Sequence, residues 1–555
     1  MHLRLPVIIF ALLFSPASAS PAKKDDGAAA QPQRLSLQGE RELREIVAAG
    51  RLKTLQFGEY QAEIGEFYKS QNYTLAWVRD SRPTAKARAV IKLLQAADKK
   101  GLFAKEYDGP LWRKRLSSLR RPHRRAPESK LLHFDLALTA CAMRYVTDLH
   151  LGRINPQHPH SALHITPHIR KALDFLRLRI APVTDVEAAL NALEPTFPPY
   201  RRLVKAVQQY QELVRLDDRE PLPVSSILIK PGDLYVGVPR LTRLLSLLGD
   251  LPPGIATDAE LYADPLVRAV QRFQRRHGLA PDGLLSEETL RQLNTPLNNR
   301  LRQLRLALER WRWLPHTFSR PPIIVNIPEF RLYAGDAPPQ SVVVGVALKH
   351  ETPIFASMIS EVVFRPPWNV PMSIQRKELV AKIKKNRSYL KKHDFEVFDR
   401  AGSLVSSGEV TSAVLKQLQE GRLYLRQRPG PGNSLGLVKF VMPNTYSVYL
   451  HGTPSKRGFK EARRDLSHSC IRVEDPEALA NWALRDQPEW TSERIRAAME
   501  GTETATVKLT EPIPVFLQYG TAAVTEGGEV RFFEDIYSRD AAEGAAFEQR
   551  ARLPR

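Results

Sequence analysis

The sequence predicts a multidomain α+β protein, with a helical N-terminal half, a small three-helix unit, and a β-rich C-terminal half carrying a helical insertion. Three observations lead there. The chain has 555 residues, and a prior of about 150 residues per domain suggests three or four units. Apolar residues recur at helical spacing through the first half. Beyond residue 320 they fall in short Val- and Ile-rich runs broken by Pro and Gly, the pattern of strands. Hydrophobic residues at 43% and charged residues at 26% describe an ordinary globular chain.

At the N-terminus, His2 and Arg4 precede an apolar run over 5–14 and then Ala17-Ser18-Ala19. This is the pattern of a secretory signal peptide, assigned to 1–19. The run is shorter than the roughly 20 apolar residues of a transmembrane helix, and no other stretch reaches that length, so an integral membrane protein is not expected. Residues 20–39, rich in Ala, Lys, Asp and Pro, form a flexible leader. From 40 to 228 the pattern is a helical scaffold, with Leu131, Phe134, Leu138, Ala142 and Tyr145 at helical spacing. Nothing in it points to catalysis.

Residues 229–297 form a second unit. Leu266, Ala269, Val270 and Phe273 mark an amphipathic helix. Gly278 stands where a left-handed C-terminal cap is expected, Asp282-Gly283 signals a turn, and Ser286 caps the next helix. The string AVQRFQRRHGLAPDGLLSEETLRQLN, ending at Asn294, resembles the small three-helix peptidoglycan-binding domain.

A linker helix over 298–321 ends in Trp311-Arg312-Trp313-Leu314-Pro315, where proline stops it. The β-rich domain spans 322–540. Strands are expected at 323–327 and 331–333 as a hairpin, at 341–348, at 359–364, and at 438–450 as one run. Late strands at 506–509, 515–519 and 530–533 close the domain. Asp475-Pro476 starts a helix. The insertion at about 374–428 is helical and basic. It reads either as a solvated surface or as a lid offering positive charge to substrate carboxylates. The tail over 541–555 is expected to be mobile.

Formal net charge is +22, which favours an anionic partner. Export and the absence of a nucleic-acid-binding motif argue against nucleic acid. The chain has two cysteines. Cys141 lies in an apolar helical run and Cys470 in a polar, His-flanked stretch, so two free thiols are expected rather than a disulfide.

Chemistry concentrates in YLHGTPSKRGFKEARRDLSHSCIRV, Tyr449 to Val473. A lone Cys with a His is the minimum set for thiol nucleophilic catalysis. Alternation along a strand puts Tyr449 and His451 on one face. Arg463, Arg464 and Arg472, with either His451 or His468, are expected to stabilise the thiolate. Backbone N–H groups of Ser469 and Cys470 and the Tyr449 hydroxyl are candidate oxyanion donors. Zinc needs three or four ligands at suitable spacing, which this stretch lacks, and no cofactor is expected. His468 reads as a structural histidine, leaving His451 as the base.

His451-Gly452-Thr453-Pro454 followed by SHSCIRV resembles the signature of the L,D-transpeptidase (YkuD) catalytic domain. WRWLP (311–315), WNVP (368–371), GPGNSLG (430–436) and VKFVMPN (438–444) resemble its large YcbB-like subgroup. One departure is Ser469, where the family usually has Gly before the Cys; it adds a side chain where the backbone must turn tightly. The resemblance implies that Cys470 attacks the third residue of a peptidoglycan tetrapeptide stem and releases D-alanine. A neighbouring stem's amine then resolves the thioester to a 3→3 cross-link. His451 would act as base, the Gly452 carbonyl would orient it, and Arg472, Tyr449 and Trp368 would shape the site, with His468 beside it. The implied partners are peptidoglycan stem peptides and glycan, and the implied location is the periplasm. Two other readings stay open: the same nucleophile passing the acyl group to water or to a wall-attached protein, and a non-catalytic wall-binding scaffold.

Overall fold

The structure, a computed structural model, describes residues 32–552 apart from 54, 121–124, 155–184, 226, 256, 258, 317, 319 and 409. The expected signal peptide and most of the leader lie outside the described residues.

The scaffold is built around the helix Glu128–Leu151, buried along most of its length, with Cys141 inside it. Neither cysteine is in a disulfide. The scaffold is not purely helical. Strands Pro32–Arg34, Thr74–Arg79 and Arg82–Pro83 form a small sheet, fastened to the helix through buried Asp135. That carboxylate accepts from Tyr68 Oη at 2.7 Å, Ala76 N at 3.0 Å and Trp77 N at 2.7 Å. Burial nonetheless raises its pKa to about 6. The strands escaped the sequence reading because two of them are only two or three residues long and Pro32–Arg34 pairs with the distant Thr74–Arg79.

The second unit has three helices, Val238–Leu248, Leu266–Arg276 and Glu287–Leu293. They close over Leu241, Leu245, Tyr262, Phe273 and Leu290. Ser286 caps the last helix by accepting from Thr289 N at 3.2 Å, and Gly278 has φ 71°.

The next helix, Leu297–Arg312, joins the units. Its Glu309, fully buried, accepts from Ile154 N at 2.9 Å and from Arg153 N, and Arg312 lies 3.6 Å away. Arg310 pairs with Asp540 at 2.7 Å and Glu543 at 2.8 Å. Those partners sit on the helix Arg539–Arg552, which corrects the expectation of a mobile tail. This helix docks because Phe547 is buried to 1% exposure, 5.4 Å from the Phe103 ring and under the Arg153 guanidinium.

The β-rich domain is a closed barrel. Its strands are β1 (Ile323–Asn326), β2 (Arg331–Ala334), β3 (Ala337–Gly345), β4 (Phe355–Phe364), β5 (Val438–Val441), β6 (Leu450–His451), β7 (Asp465–Ser467), β8 (Ile471–Val473) and β9 (Ala505–Gln518). Their order is β7-β3-β8-β6-β5-β4-β9-β1-β2, and pairing of β2 with β3 closes a ring of eight, with β7 outside it on β3. The single run expected at 438–450 is two strands. Asn444 breaks it by holding a turn, donating to the Met442 and Val448 carbonyls and accepting from Tyr446 N. The two strands expected at 506–509 and 515–519 are one, β9, with a register shift between Lys508 and Ile513. The last expected strand does not close the barrel. Val530–Phe532 pairs with Ala522–Val524 as a hairpin, whose Val524 and Phe532 pack on the scaffold helix Pro198–Leu216.

The insertion begins at Trp368, where the chain leaves the barrel. It has the expected helices, among them Val380–Lys385 and Ser412–Glu420. It also has a four-stranded sheet, in the order Trp368–Asn369, Tyr424–Gln427, Phe395–Phe398 and Leu404–Ser406. Its own core is formed by Leu379, Ile383, Val397, Leu418 and Leu425. It is therefore a small α/β unit grafted onto the barrel.

If the C-terminal helix is a structural part, Phe547→Ala costs about 3 kcal/mol and lowers the thermal unfolding midpoint. An unchanged midpoint would mark it as a loosely attached tail.

Candidate active site

Strand β6 lies between β5 and β8, antiparallel to the first and parallel to the second. The register aligns Lys439, His451 and Arg472 in one cross-strand row. Strands β6 and β8 are parallel, so a crossover must separate them; the 452–470 loop is that crossover, and it delivers Cys470 to the start of β8. Cys470 is fixed from several sides. Ile471 N donates to the Tyr449 carbonyl at 3.1 Å, and Ser467 Oγ donates to the Cys470 carbonyl at 2.5 Å. Thr352 Oγ1 donates to the Ser469 carbonyl at 2.8 Å. On the other side Gly436, at φ 65°, packs against the Gly452–Thr453 backbone so closely that a Cβ would fall 2.5 Å from Thr453 N. That contact accounts for the last glycine of GPGNSLG.

His451 is buried at 5% exposure. Its Nδ1 donates to the Gly452 carbonyl at 2.5 Å. A carbonyl only accepts, so the proton sits on Nδ1 and the Nε2 lone pair is available. Burial first, then the charges of Arg472 and Lys439, lower its pKa to about 4. The imidazole is therefore neutral at physiological pH.

Cys470 is partly exposed, with Sγ 3.8 Å from the Ser447 carbonyl. Burial pushes its thiol pKa up; the Tyr449 backbone N–H and hydroxyl, Lys439 and Arg472 act the other way. The Tyr449 hydroxyl also lies within hydrogen-bonding reach of the Trp368 indole at the root of the insertion. Among the described residues, no hydrogen bond joins Cys470 to His451; the Tyr449 ring lies beside the imidazole, 5.6 Å between centroids.

Ser469 has φ 74°, the left-handed conformation that glycine adopts without strain. Its hydroxyl donates to the His350 carbonyl at 3.1 Å, which offsets part of the strain. Among the described residues the backbone N–H groups of Ser469 and Cys470 find no protein acceptor, so both are available to an oxyanion.

The insertion reaches the same loop. Its Glu378 meets His468 Nε2 at 2.6 Å, and the His468 ring lies 4.7 Å from that of His350. Next to Ser469 a cavity of about 300 Å³ is lined by Leu348, Lys349, His350, Pro353 and Tyr446. Ser469 itself forms part of its wall.

The structure thus gathers Cys470, Ser469, Tyr449, His451, Gly452, Arg472 and Trp368 around one thiol, with His468 at the edge. Two expected thiolate partners are elsewhere. Arg463 pairs with Asp465 at 2.7 Å and Glu534 at 3.0 Å, and Arg464 lies over the Phe330 ring. They belong to the crossover loop, which turns them away from Cys470. Lys439 and Glu378 were missed. A lysine between buried Val438 and Phe440 is the signal that marks Lys439, since alternation puts it on the face of His451. Among the described residues no cluster of three or more His, Cys, Asp or Glu side chains could hold a metal ion. No helix there is long and apolar enough to cross a membrane.

Comparison with known proteins now decides the family of this barrel. Residues 320–508 match the family model of the L,D-transpeptidase catalytic domain. The barrel is an L,D-transpeptidase catalytic domain. Residues 62–207 match a scaffold domain, and 237–293 match the "Putative peptidoglycan binding domain". A Haemophilus influenzae protein described as "Putative L,D-transpeptidase" is 30% identical over 271 residues, 47% of this chain and 54% of that relative. The match thus spans about half the relative's length.

Two outcomes test the geometry of the transpeptidase domain. In the unfolded chain His451 titrates near 6.5, against about 4 when folded. The unfolded state binds the extra proton between those values, so stability is full above about 6.5 and is lost as pH falls towards 4, by up to about 3 kcal/mol. His451→Asn should therefore lose less stability than the wild type between pH 7 and pH 4 in urea titrations. At Ser469, glycine relieves strain but loses the hydroxyl bond, so Ser469→Gly should stay within about 1 kcal/mol of wild type. Ser469→Val, branched and without the hydroxyl, should lose about 2 kcal/mol.

Proposed function

We propose that the protein is an exported L,D-transpeptidase that joins peptidoglycan stems by 3→3 cross-links, with Cys470 as nucleophile and His451 as base. The observation that carries this reading is the pairing of β6 with β8. It brings a partly exposed thiol and a neutral imidazole with a free Nε2 to the same end of one barrel.

The donor is a tetrapeptide stem. Cys470 Sγ attacks the carbonyl carbon of the third residue, a diamino acid, at its L-centre, and the thiol proton passes to His451 Nε2. The oxyanion is met by the Ser469 and Cys470 backbone N–H groups and the Tyr449 hydroxyl. The C–N bond to D-alanine then breaks, and the leaving nitrogen takes the proton from His451. An imidazolium with a pKa near 4 gives it up readily. The side-chain amine of a second stem attacks the thioester, loses a proton to Nε2, and Cys470 leaves as thiol. Arg472 offers its charge to the carboxylates of the stems, and Trp368 holds the Tyr449 hydroxyl in place.

The peptidoglycan-binding unit is the part suited to holding the glycan, and a net charge of +22 favours a polymer rich in carboxylates. The signal-peptide pattern in the sequence supports a periplasmic location.

Purified protein incubated with disaccharide-tetrapeptides should yield cross-linked dimers and free D-alanine by mass spectrometry, and Cys470→Ala should yield neither. Tripeptides without dimers would instead assign hydrolysis. Absence of both products from the wild type would end the catalytic reading.

A further inference from the structure

The Lys439–His451–Arg472 row raises a problem that the signature residues do not solve. A thiolate beside an imidazolium would be a self-neutralising pair, but His451 is buried and neutral. Lys439 stands on the opposite side of His451 from Arg472, as the Cα partner of both His451 and Val363. Its ammonium lies 4.2 Å from the centroid of the Tyr449 ring, and the Tyr449 hydroxyl reaches Cys470. Lys439 is half-buried, and among the described residues no carboxylate comes within ion-pair distance of it. A partly desolvated ammonium without a partner is costly unless an anion forms nearby.

We propose that Lys439 is the electrostatic partner of the Cys470 nucleophile, a fixed cation that takes the place an imidazolium would hold. The row gives it a double effect. It favours the thiolate, and it disfavours a proton resting on His451, so the imidazole passes its proton on rather than storing it. Tyr449 links the two, with its ring face against the ammonium and its hydroxyl at Sγ. The charged or titratable groups that act on the thiol are Lys439 from β5, Tyr449 immediately before β6 and Arg472 from β8, while His451 of β6 stands in the row between Lys439 and Arg472. Glu361 on β4 acts on Lys439 from farther along the sheet.

The proposal rests on Cys470 being the nucleophile, and its test needs no stem peptide. The rate of alkylation of the full-length protein by iodoacetamide is followed against pH, with the labelled residue located by peptide mass spectrometry. Lys439→Met should move the alkylation midpoint of Cys470 up by about one pH unit, a tenfold loss of reactivity below it. Lys439→Arg should restore most of the shift. Circular dichroism identifies a variant that fails to fold, and in that case Lys439→Gln replaces Lys439→Met in the same measurement. A midpoint unchanged in Lys439→Met, with or without a raised KM for the stem, overturns the proposal and leaves Lys439 as a packing or substrate-carboxylate residue. Label found on a residue other than Cys470 in the wild type would overturn the nucleophile assignment itself.

Discussion

The site depends on one pairing, the two-residue strand Leu450–His451 laid parallel to Ile471–Val473. A parallel pair cannot be joined by a tight turn, so the chain leaves after His451 and returns through the crossover loop to Cys470. The barrel's other strands hold this pair from both sides, with Val438–Val441 next to one member and Ala337–Gly345 next to the other. Without that frame, two residues of strand would have no reason to stay paired. With it, a histidine and a cysteine separated by a long loop are brought to the same end of the sheet.

The electrostatics follow from the register. A histidine between a lysine and an arginine, buried and donating through Nδ1 to its neighbour's carbonyl, stays neutral and presents Nε2. The thiol then finds its positive surroundings in Lys439 and Arg472, although burial lowers the pKa of each. The insertion adds to the site at two points: Trp368, where it leaves the barrel, and Glu378, which meets His468 beside the loop. It has a hydrophobic core of its own.

Much of this was legible in the sequence where the determinants are local. The Ser286 and Asp475 caps and the sharing of a face by Tyr449 and His451 each follow from a few neighbouring residues, and the tight turn at Ser469 follows from the resemblance to the family, which usually has Gly there. The determinants that escaped are set by distant pairing. Lys439 owes its place to the register of β5 against β6, and the small scaffold sheet to the pairing of Pro32–Arg34 with the distant Thr74–Arg79. The C-terminal helix looked mobile from its Ala- and Glu-rich composition. It is held by Phe547 and by arginines of a helix more than 200 residues earlier. Arg463 and Arg464 show the converse, since closeness to Cys470 in sequence did not put them near it in space.

The central claim is that Cys470 carries the acyl group. It is tested most directly by intact-protein mass spectrometry after brief exposure to a tetrapeptide donor in the absence of an acceptor amine. The account predicts a mass gain equal to the tripeptide acyl group, mapped to the peptide containing Cys470 and released by added amine. No gain, or a gain mapped to another residue, would contradict it.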